Sequence, residues 1–238
     1  MKSMTIKDAF SGNPYCGRGI IIGSTEEGGC VCAYYIMGRS ENSRNRVFVK
    51  ENENLMIKPF DESKVEDPSL IIYYPVRKYD KGIIITNGDQ TDTVYDYISA
   101  KKTFEEALFT RMYEPDRPNY TPRISGIVEY GDFHFEYKLS ILKRENSEFE
   151  ACSRHFYNYS SIPAHGHLIH TYVTDGNPLP SFEGEPKKIT IDSDIDDFTD
   201  VIWQSLNKDN RISLYVRYSD CNGKNVKERI INKFGGRI

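Results

Sequence analysis

The first third of the chain has the hydrophobic pattern of β-strands. Residues 19–23 form a short apolar run, and residues 30–37 (CVCAYYIM) are apolar at almost every position. The second pattern is typical of a strand buried on both faces. Gly28 and Gly29 lie between the two runs and predict a hairpin. Further strands are predicted over residues 46–50, 69–76 and 82–86.

The apolar spacing changes to a helical period between Thr91 and Tyr113. Thr103 and Glu106 form a capping box, which predicts that a second helix begins there. Another helix is predicted over residues 194–207. Its apolar face contains Phe198, Val201, Ile202 and Leu206.

A second series of strands follows the proline-rich segment that ends the helical region. These strands are predicted over residues 123–129, 133–143, 150–158, 166–173, 187–191, 212–218 and 228–234. Runs of strands separated from runs of helices favour an α+β fold with antiparallel sheets. We expect two sheets packed face to face, with helices outside, in one domain of residues 1–238.

Composition excludes several classes of protein. The chain has 238 residues, 38% of them hydrophobic, and a net charge of −4, which disfavours a general nucleic-acid binder. It has no apolar run long enough for a membrane span, and its start has no signal-peptide core. The five cysteines form no C-x-x-C motif. We therefore expect reduced thiols in a cytoplasmic protein that binds neither nucleic acid nor membrane.

The segment of residues 37–46 (MGRSENSRNR) is the strongest local indication of ligand binding. It places Arg39, Arg44 and Arg46 among small polar residues at the end of a buried strand. Guanidinium groups bind phosphate or carboxylate well. On a strand, Arg44 and Arg46 would share a face. A solvated hairpin with scattered charges explains the pattern equally well.

Two other segments place polar side chains beside predicted helices. Asn87 and Gly88 form a turn before a helix whose first amides could hold an anion, although a plain turn is also consistent. Glu114 lies on a loop stiffened by Pro115, where a carboxylate could act as a positioned acid or base. The alternative is an ion pair with Arg117 or Arg123 that only holds the loop.

Cysteine and histidine residues give weaker indications. Cys16, just before the first strand, could be a nucleophile if residues 1–15 were removed, or an ordinary small residue. His165, His167 and His170 have spacings found in metal sites. On a strand, however, the first two face opposite to the third, and no other ligand is evident.

Several segments in this order resemble the archaeal-type IMP cyclohydrolases and their bacterial relatives. The segments are residues 13–20 (NPYCGRGI), 37–46, 86–92 (TNGDQTD), 112–116 (MYEPD), 121–124 (TPRI), 170–172 (HTY) and 175–182 (DGNPLPSF). They are distributed over most of the chain.

This resemblance implies a four-layer αββα sandwich of the N-terminal-nucleophile hydrolase type, without self-processing. It also implies closure of the purine ring of 5-formamidoimidazole-4-carboxamide ribonucleotide to give IMP and water. No metal or cofactor is expected, and the partner is a small purine nucleotide. The family further implies a homo-oligomer.

The resemblance also assigns residues to the site. The catalytic group is Glu114, Tyr74 and Asn87, and the substrate-binding group is Arg18, Arg39, Arg46 and Arg123. Two alternatives remain at this point. One is an amidohydrolase that uses Cys16 after processing, and the other is a purine-nucleotide-binding protein without catalytic activity.

Overall fold

Two antiparallel β-sheets form the centre of the protein in a computed structural model that describes residues 3–64, 72–145 and 150–237. Within those ranges each sheet has seven strands. The first sheet contains, in spatial order, β11 (Lys187–Thr190), β10 (His165–His170), β1 (Arg18–Ser24), β2 (Cys30–Met37), β12 (Arg211–Ser219), β13 (Lys227–Asn232) and β14 (Gly236–Arg237). The second sheet contains β3 (Val47–Glu51), β4 (Asn54–Lys58), β5 (Val76–Tyr79), β6 (Gly82–Thr86), β7 (Arg123–Glu129), β8 (Glu136–Arg144) and β9 (Cys152–Ser160).

Short helices connect the strands and cover the sheets. They are α1 (Ile6–Phe10), α2 (Glu41–Arg44), α3 (Gln90–Ser99), α4 (Phe104–Phe109) and α5 (Ile195–Ser205). Across the described residues, no helix has the length and apolar character needed to cross a membrane. The predicted α+β class with antiparallel sheets is confirmed.

The apolar pattern of β2 is explained by its position inside the first sheet, between β1 and β12. Its residues alternate between two buried clusters. Tyr34 and Ile36 belong to the core shared with the second sheet, whereas Tyr35 and Met37 belong to the core beneath α1 and α5. The predicted hairpin is confirmed, because β1 and β2 pair antiparallel across the Gly28–Gly29 turn.

The helices close the outer face of each sheet. Phe10 of α1 and Phe198 of α5 pack against the first sheet. Phe104 and Leu108 of α4 pack with Ile127 against the second sheet. Three apolar layers therefore separate four layers of secondary structure.

The helix signals in the sequence are confirmed where capping chemistry supports them. Thr103 accepts a hydrogen bond from the Glu106 amide, 3.1 Å away, and the Glu106 carboxylate accepts one from the Thr103 amide at 2.7 Å. This is the predicted capping box at the start of α4. The predicted helix over residues 194–207 is α5, with Asp194 as its N-cap.

One predicted strand, over residues 69–76, differs from the structure. Residues 69–71 lie outside the described residues, and residues 72–74 have no regular structure. The strand begins only at Val76, after Pro75, which has no N–H to donate to a strand ladder. The short helix α1 and strand β4 were not predicted, since neither has a long apolar period.

A buried asparagine joins the two sheets. The side-chain oxygen of Asn232, on β13, accepts hydrogen bonds from the Phe48 amide at 2.8 Å and from the Ser213 hydroxyl at 2.7 Å. Its side-chain nitrogen donates to the Phe48 carbonyl at 2.9 Å. One side chain thus satisfies both backbone groups of a residue on β3, the first strand of the second sheet.

We expect Asn232→Leu to lower the free energy of unfolding by about 2–4 kcal/mol, because it leaves the buried Phe48 amide and carbonyl without partners. Urea denaturation measures the change. Asn158→Leu, at an exposed position of β9, is the matched control and should change stability by less than about 0.5 kcal/mol. Equal stability of the two variants would contradict the bridging role of Asn232.

Candidate functional site

A cavity of about 460 Å³ opens where the ends of the two sheets meet. Its walls come from the ends of β1 and β2, from α2, and from residues next to β3, β7 and β10, so that both sheets contribute. The lining residues are Tyr15, Gly17, Arg18, Met37, Arg39, Ser40, Asn42, Ser43, Arg46, Asp116, Asn119, Thr121, Thr171, Tyr172 and Leu179. Three of the four arginines assigned to substrate binding therefore line one cavity.

Arg46 is a buried cation with unused hydrogen-bonding capacity. The side chain is 8% exposed, and its Nε and Nη1 have no partner among the described residues. Burial, and then the nearby charge of Arg18, lower the pKa of Arg46 to about 10. The guanidinium stays charged at neutral pH, and an anion in the cavity would supply its missing partners.

Local backbone geometry fixes the position of Arg18 at the cavity wall. Gly17 has φ +76°, and a Cβ there would lie 2.1 Å from the Thr171 hydroxyl and 2.6 Å from the Tyr172 ring. Only glycine fits this close approach. The Thr171 hydroxyl accepts a hydrogen bond from the Arg18 amide at 3.1 Å, which joins the start of β1 to the residue after β10.

Arg44 does not accompany Arg46, which corrects the expectation that both lie on one strand face. Ser40 and Ser43 form a capping box that turns the chain into α2 before β3 begins. Arg44 therefore donates to the Gly38 carbonyl at 3.1 Å and to the side-chain oxygen of Asn210 at 3.2 Å. It is absent from the cavity wall.

Arg39 lies at the mouth of the cavity. It forms an ion pair with Asp175 and donates to the Gly176 carbonyl at 3.0 Å. Its guanidinium also lies 5.0 Å from the centre of the Tyr15 ring, which stacks on Tyr172 with centroids 6.0 Å apart. Both aromatic residues fall in segments that carry the resemblance, although composition alone gave them no role.

Arg123 and Glu114 form a polar network next to this cavity. Arg123 Nη1 donates to Asp89 at 2.7 Å and to Gln90 at 2.6 Å, and Nη2 donates to Glu114 at 3.0 Å. A Cβ at Gly88 would lie within 3 Å of Gln90, Arg123 and Glu114. The absence of a side chain at Gly88 therefore leaves room for this network.

Glu114 combines burial with a nearby cation. Burial raises the pKa of the Glu114 carboxyl, while Arg123 and Arg18 oppose that shift. Its amide donates to the Thr121 carbonyl at 2.9 Å, which ties it to a cavity-lining residue. Glu114 thus has both features that the sequence raised as alternatives. Its carboxyl group has a raised pKa, and it accepts a hydrogen bond from Arg123.

Both ends of the Asn87 side-chain amide form hydrogen bonds within the fold. Its side-chain nitrogen donates to the Pro122 carbonyl at 2.9 Å, and its oxygen accepts from the Ile124 amide at 2.9 Å and from Gln90 at 3.0 Å. The side chain is buried. Asn87 consequently fixes the turn before α3 to the start of β7, which carries Arg123.

The structure does not bring Tyr74 to the cavity. Its hydroxyl bonds to Glu51 at the far end of β3. The preceding residue, Tyr73, is directed into the space between the sheets. Its hydroxyl donates to the Asn87 carbonyl at 2.9 Å and lies 3.3 Å from the Tyr34 hydroxyl. Tyr73 and Tyr74 therefore have different surroundings, because adjacent residues of an extended chain point to opposite sides.

Cys16 has the surroundings of a structural thiol. Its sulfur lies 3.1 Å from the Tyr35 hydroxyl and 3.4 Å from the Met37 sulfur, in the core beneath α1 and α5. Burial raises the pKa of Cys16 to about 12, which disfavours the thiolate that a nucleophile requires. These contacts argue against the amidohydrolase alternative.

The three histidines have separate partners. Nδ1 of His165 lies 2.8 Å from the Pro163 carbonyl, and Nδ1 of His167 lies 2.7 Å from the Tyr137 hydroxyl. Nδ1 of His170 lies 2.7 Å from the Tyr172 carbonyl. Within the described ranges, no three histidine, cysteine or acidic side chains form a group suited to a metal ion.

Comparison with known proteins identifies several relatives that are named IMP cyclohydrolase. An IMP cyclohydrolase from Methanopyrus kandleri is 29% identical over 181 residues, covering 71% of this chain and 89% of the relative. IMP cyclohydrolases from Methanocaldococcus jannaschii and Methanococcus maripaludis strain S2 are 27% and 31% identical, each over 52% of this chain. Those two matches span 61% and 62% of the relatives.

A family model provides the broader comparison. The model describes IMP cyclohydrolase-like proteins, and it matches residues 15–224. That range contains the cavity and the Glu114 network. The chain therefore belongs to the IMP cyclohydrolase-like family.

Proposed function

We propose that this protein is an IMP cyclohydrolase that closes the purine ring of 5-formamidoimidazole-4-carboxamide ribonucleotide. In this reaction the carboxamide nitrogen attacks the formyl carbon, and loss of water gives IMP. Family membership supports the assignment. The buried Arg46 guanidinium is the observation that connects this function with the cavity. Its Nε and Nη1 lack partners in the described part of the chain, and the phosphate of a nucleotide would supply them.

In this proposal Arg46 and Arg39 bind the phosphate of the nucleotide, and Arg18 acts at the reacting formyl group. Arg46 and Arg18 supply charge inside the cavity, and Arg39 supplies it at the mouth after exchanging Asp175 for the ligand. The Arg39–Asp175 pair is largely exposed and contributes about 0–1 kcal/mol, so the exchange costs little. Burial of the Arg46 guanidinium strengthens its attraction to an anion.

Glu114 is the proposed base for ring closure. A carboxamide is a weak nucleophile, and its nitrogen must lose a proton as the new C–N bond forms. Burial raises the pKa of Glu114 and so makes its carboxylate a stronger proton acceptor. Arg18 would stabilise negative charge on the formyl oxygen, which leaves as water after it gains protons.

The other assigned residues act through these groups. Arg123 holds the Glu114 carboxylate, and Asn87 holds the start of β7. The position given to Tyr74 from the resemblance is taken by Tyr73, whose hydroxyl faces the same core as Arg18 and Tyr34. An absorbance assay that follows IMP formation from the formylated substrate tests the function. Binding of IMP without turnover would identify a non-catalytic nucleotide-binding protein.

We also propose a specific fold type, a cellular location and an oligomeric state for this protein. Four layers with two central antiparallel sheets support the αββα arrangement of N-terminal-nucleophile hydrolases for one domain of residues 1–238. The five free cysteines support a cytoplasmic location. The exposed pair Phe60 and Phe234, whose tilted rings have centroids 5.4 Å apart, supports a homo-oligomer.

We expect Arg46→Met to weaken IMP binding about tenfold to a hundredfold, because it removes a charge-assisted contact in a buried site. The same change should leave the melting temperature of the ligand-free protein equal or higher, since Arg18 no longer faces a second buried charge. Calorimetric titration and thermal denaturation measure the two effects. Arg44→Met is the control and should keep wild-type affinity. Unchanged affinity of Arg46→Met would remove this residue from the site.

We expect Glu114→Gln to lower kcat about 10²–10⁴-fold while keeping IMP affinity within about threefold, because Gln retains the shape and loses the proton chemistry. In the wild type, kcat should fall as pH decreases through the raised pKa of Glu114, since only the carboxylate accepts a proton. That acidic limb should be missing from the profile of the variant. A kcat within about threefold of wild type would leave Glu114 as a partner of Arg123 only.

We expect Cys16→Ala to retain turnover within about threefold, because the thiol contacts Tyr35 and Met37 in the core beneath α1 and α5. The steady-state rate of IMP formation, with intact mass to exclude removal of residues 1–15, provides the measurement. Complete loss of activity in a variant with a normal melting curve would restore the amidohydrolase alternative.

A further inference from the structure

Asp116 supplies a carboxylate to a cavity that is otherwise rich in arginine. It lines the same cavity as Arg18, Arg39 and Arg46, yet within the described residues it forms no ion pair with any of them. Instead, Oδ1 accepts a hydrogen bond from the Thr121 amide at 2.7 Å, and Oδ2 accepts one from the Thr121 hydroxyl at 2.5 Å. Neutral donors therefore fix the orientation of this carboxylate.

The direction of the neighbouring hydrogen bonds follows from proton counting. An ionised carboxylate only accepts, so the single hydroxyl proton of Thr121 is donated to Asp116. The Tyr172 hydroxyl, 2.5 Å from the Thr121 oxygen, must then be the donor between those two residues. A short chain from Tyr172 through Thr121 to Asp116 thus locks the carboxylate in place.

The locked carboxylate still has capacity for a ligand. Its two oxygens offer about four acceptor positions, and the contacts with Thr121 use two of them. Phosphate would be repelled by Asp116, whereas a pair of neighbouring hydroxyl groups matches two carboxylate oxygens. The cavity therefore suits a ligand that is anionic at one end and carries a vicinal diol elsewhere, which describes a ribonucleotide.

We propose that Asp116 accepts hydrogen bonds from the ribose 2′- and 3′-hydroxyl groups, so that the cavity selects ribonucleotides over 2′-deoxyribonucleotides. This inference rests on the proposed function, because it deepens the description of the same nucleotide site. Asp116 is exposed in the ligand-free protein, and a bound nucleotide would cover it. A 2′-deoxy ligand would then leave one acceptor position of the covered carboxylate without a donor. We expect the loss to weaken binding about tenfold to a hundredfold.

Titration calorimetry with IMP and 2′-deoxy-IMP tests this selectivity. The wild type should bind the deoxy ligand about tenfold to a hundredfold more weakly. Asp116→Asn should weaken IMP binding by a similar factor and bring the two affinities within about threefold. Asp220→Asn, which changes an exposed carboxylate outside the cavity wall, is the matched control and should keep the wild-type ratio.

Equal affinity of the wild type for the two ligands would overturn the role of Asp116, and this result does not depend on any variant folding. An unchanged ratio in folded Asp116→Asn would overturn it as well. Failure of the proposed function is separate, because a protein with the expected ratio that forms no IMP from the formylated substrate would contradict the reaction alone. A wild type that binds neither nucleotide would overturn both proposals.

Discussion

The proposed site depends on two guanidinium groups where the sheets meet, that of the half-buried Arg18 and that of the buried Arg46. Each burial costs free energy, and the mutual repulsion of like charges adds to that cost. In the ligand-free protein, Arg46 Nε and Nη1 recover little of it, since they have no partner among the described residues. The apolar layers on either side must therefore be stable enough to hold an arrangement that is unfavourable until an anion arrives.

The strands meet this requirement because they carry the functional groups on rigid supports. Arg18 begins β1, Arg123 begins β7, and Arg46 directly precedes β3. Each of these strands continues into the core shared by the two sheets. The polar residues thus extend from the ends of well-packed elements, and their positions are set by the core.

The sequence predicted well those features that short-range physics determines. The apolar β2 run and the capping box at Thr103 follow from local residue patterns, and both are confirmed. The choice between Tyr73 and Tyr74 depends on which side of an irregular segment faces the core, and local pattern does not carry that information. The separation of Arg44 from Arg46 has the same origin, because a four-residue helix interrupts the expected strand.

The residues of the proposed site also differ in how far the sequence could predict them. Glu114, Arg123, Arg18 and Arg46 were assigned through a resemblance of ordered segments. Asp116 and Tyr172 are 56 residues apart and gain their connection only through Thr121. Such contacts depend on tertiary packing, which no single segment specifies.

The position of the cavity between the two sheets has a consequence for the motions of the whole molecule. A ligand that contacts both Arg18 and Arg46 is a noncovalent cross-link, added to the apolar contacts and to the polar contacts of Asn232 and of Tyr137 with His167 that already join the two sheets. Occupancy should therefore suppress the opening of one sheet from the other. The rate at which backbone amides of β1 and β3 exchange their hydrogens with solvent would then become a measure of how full the cavity is.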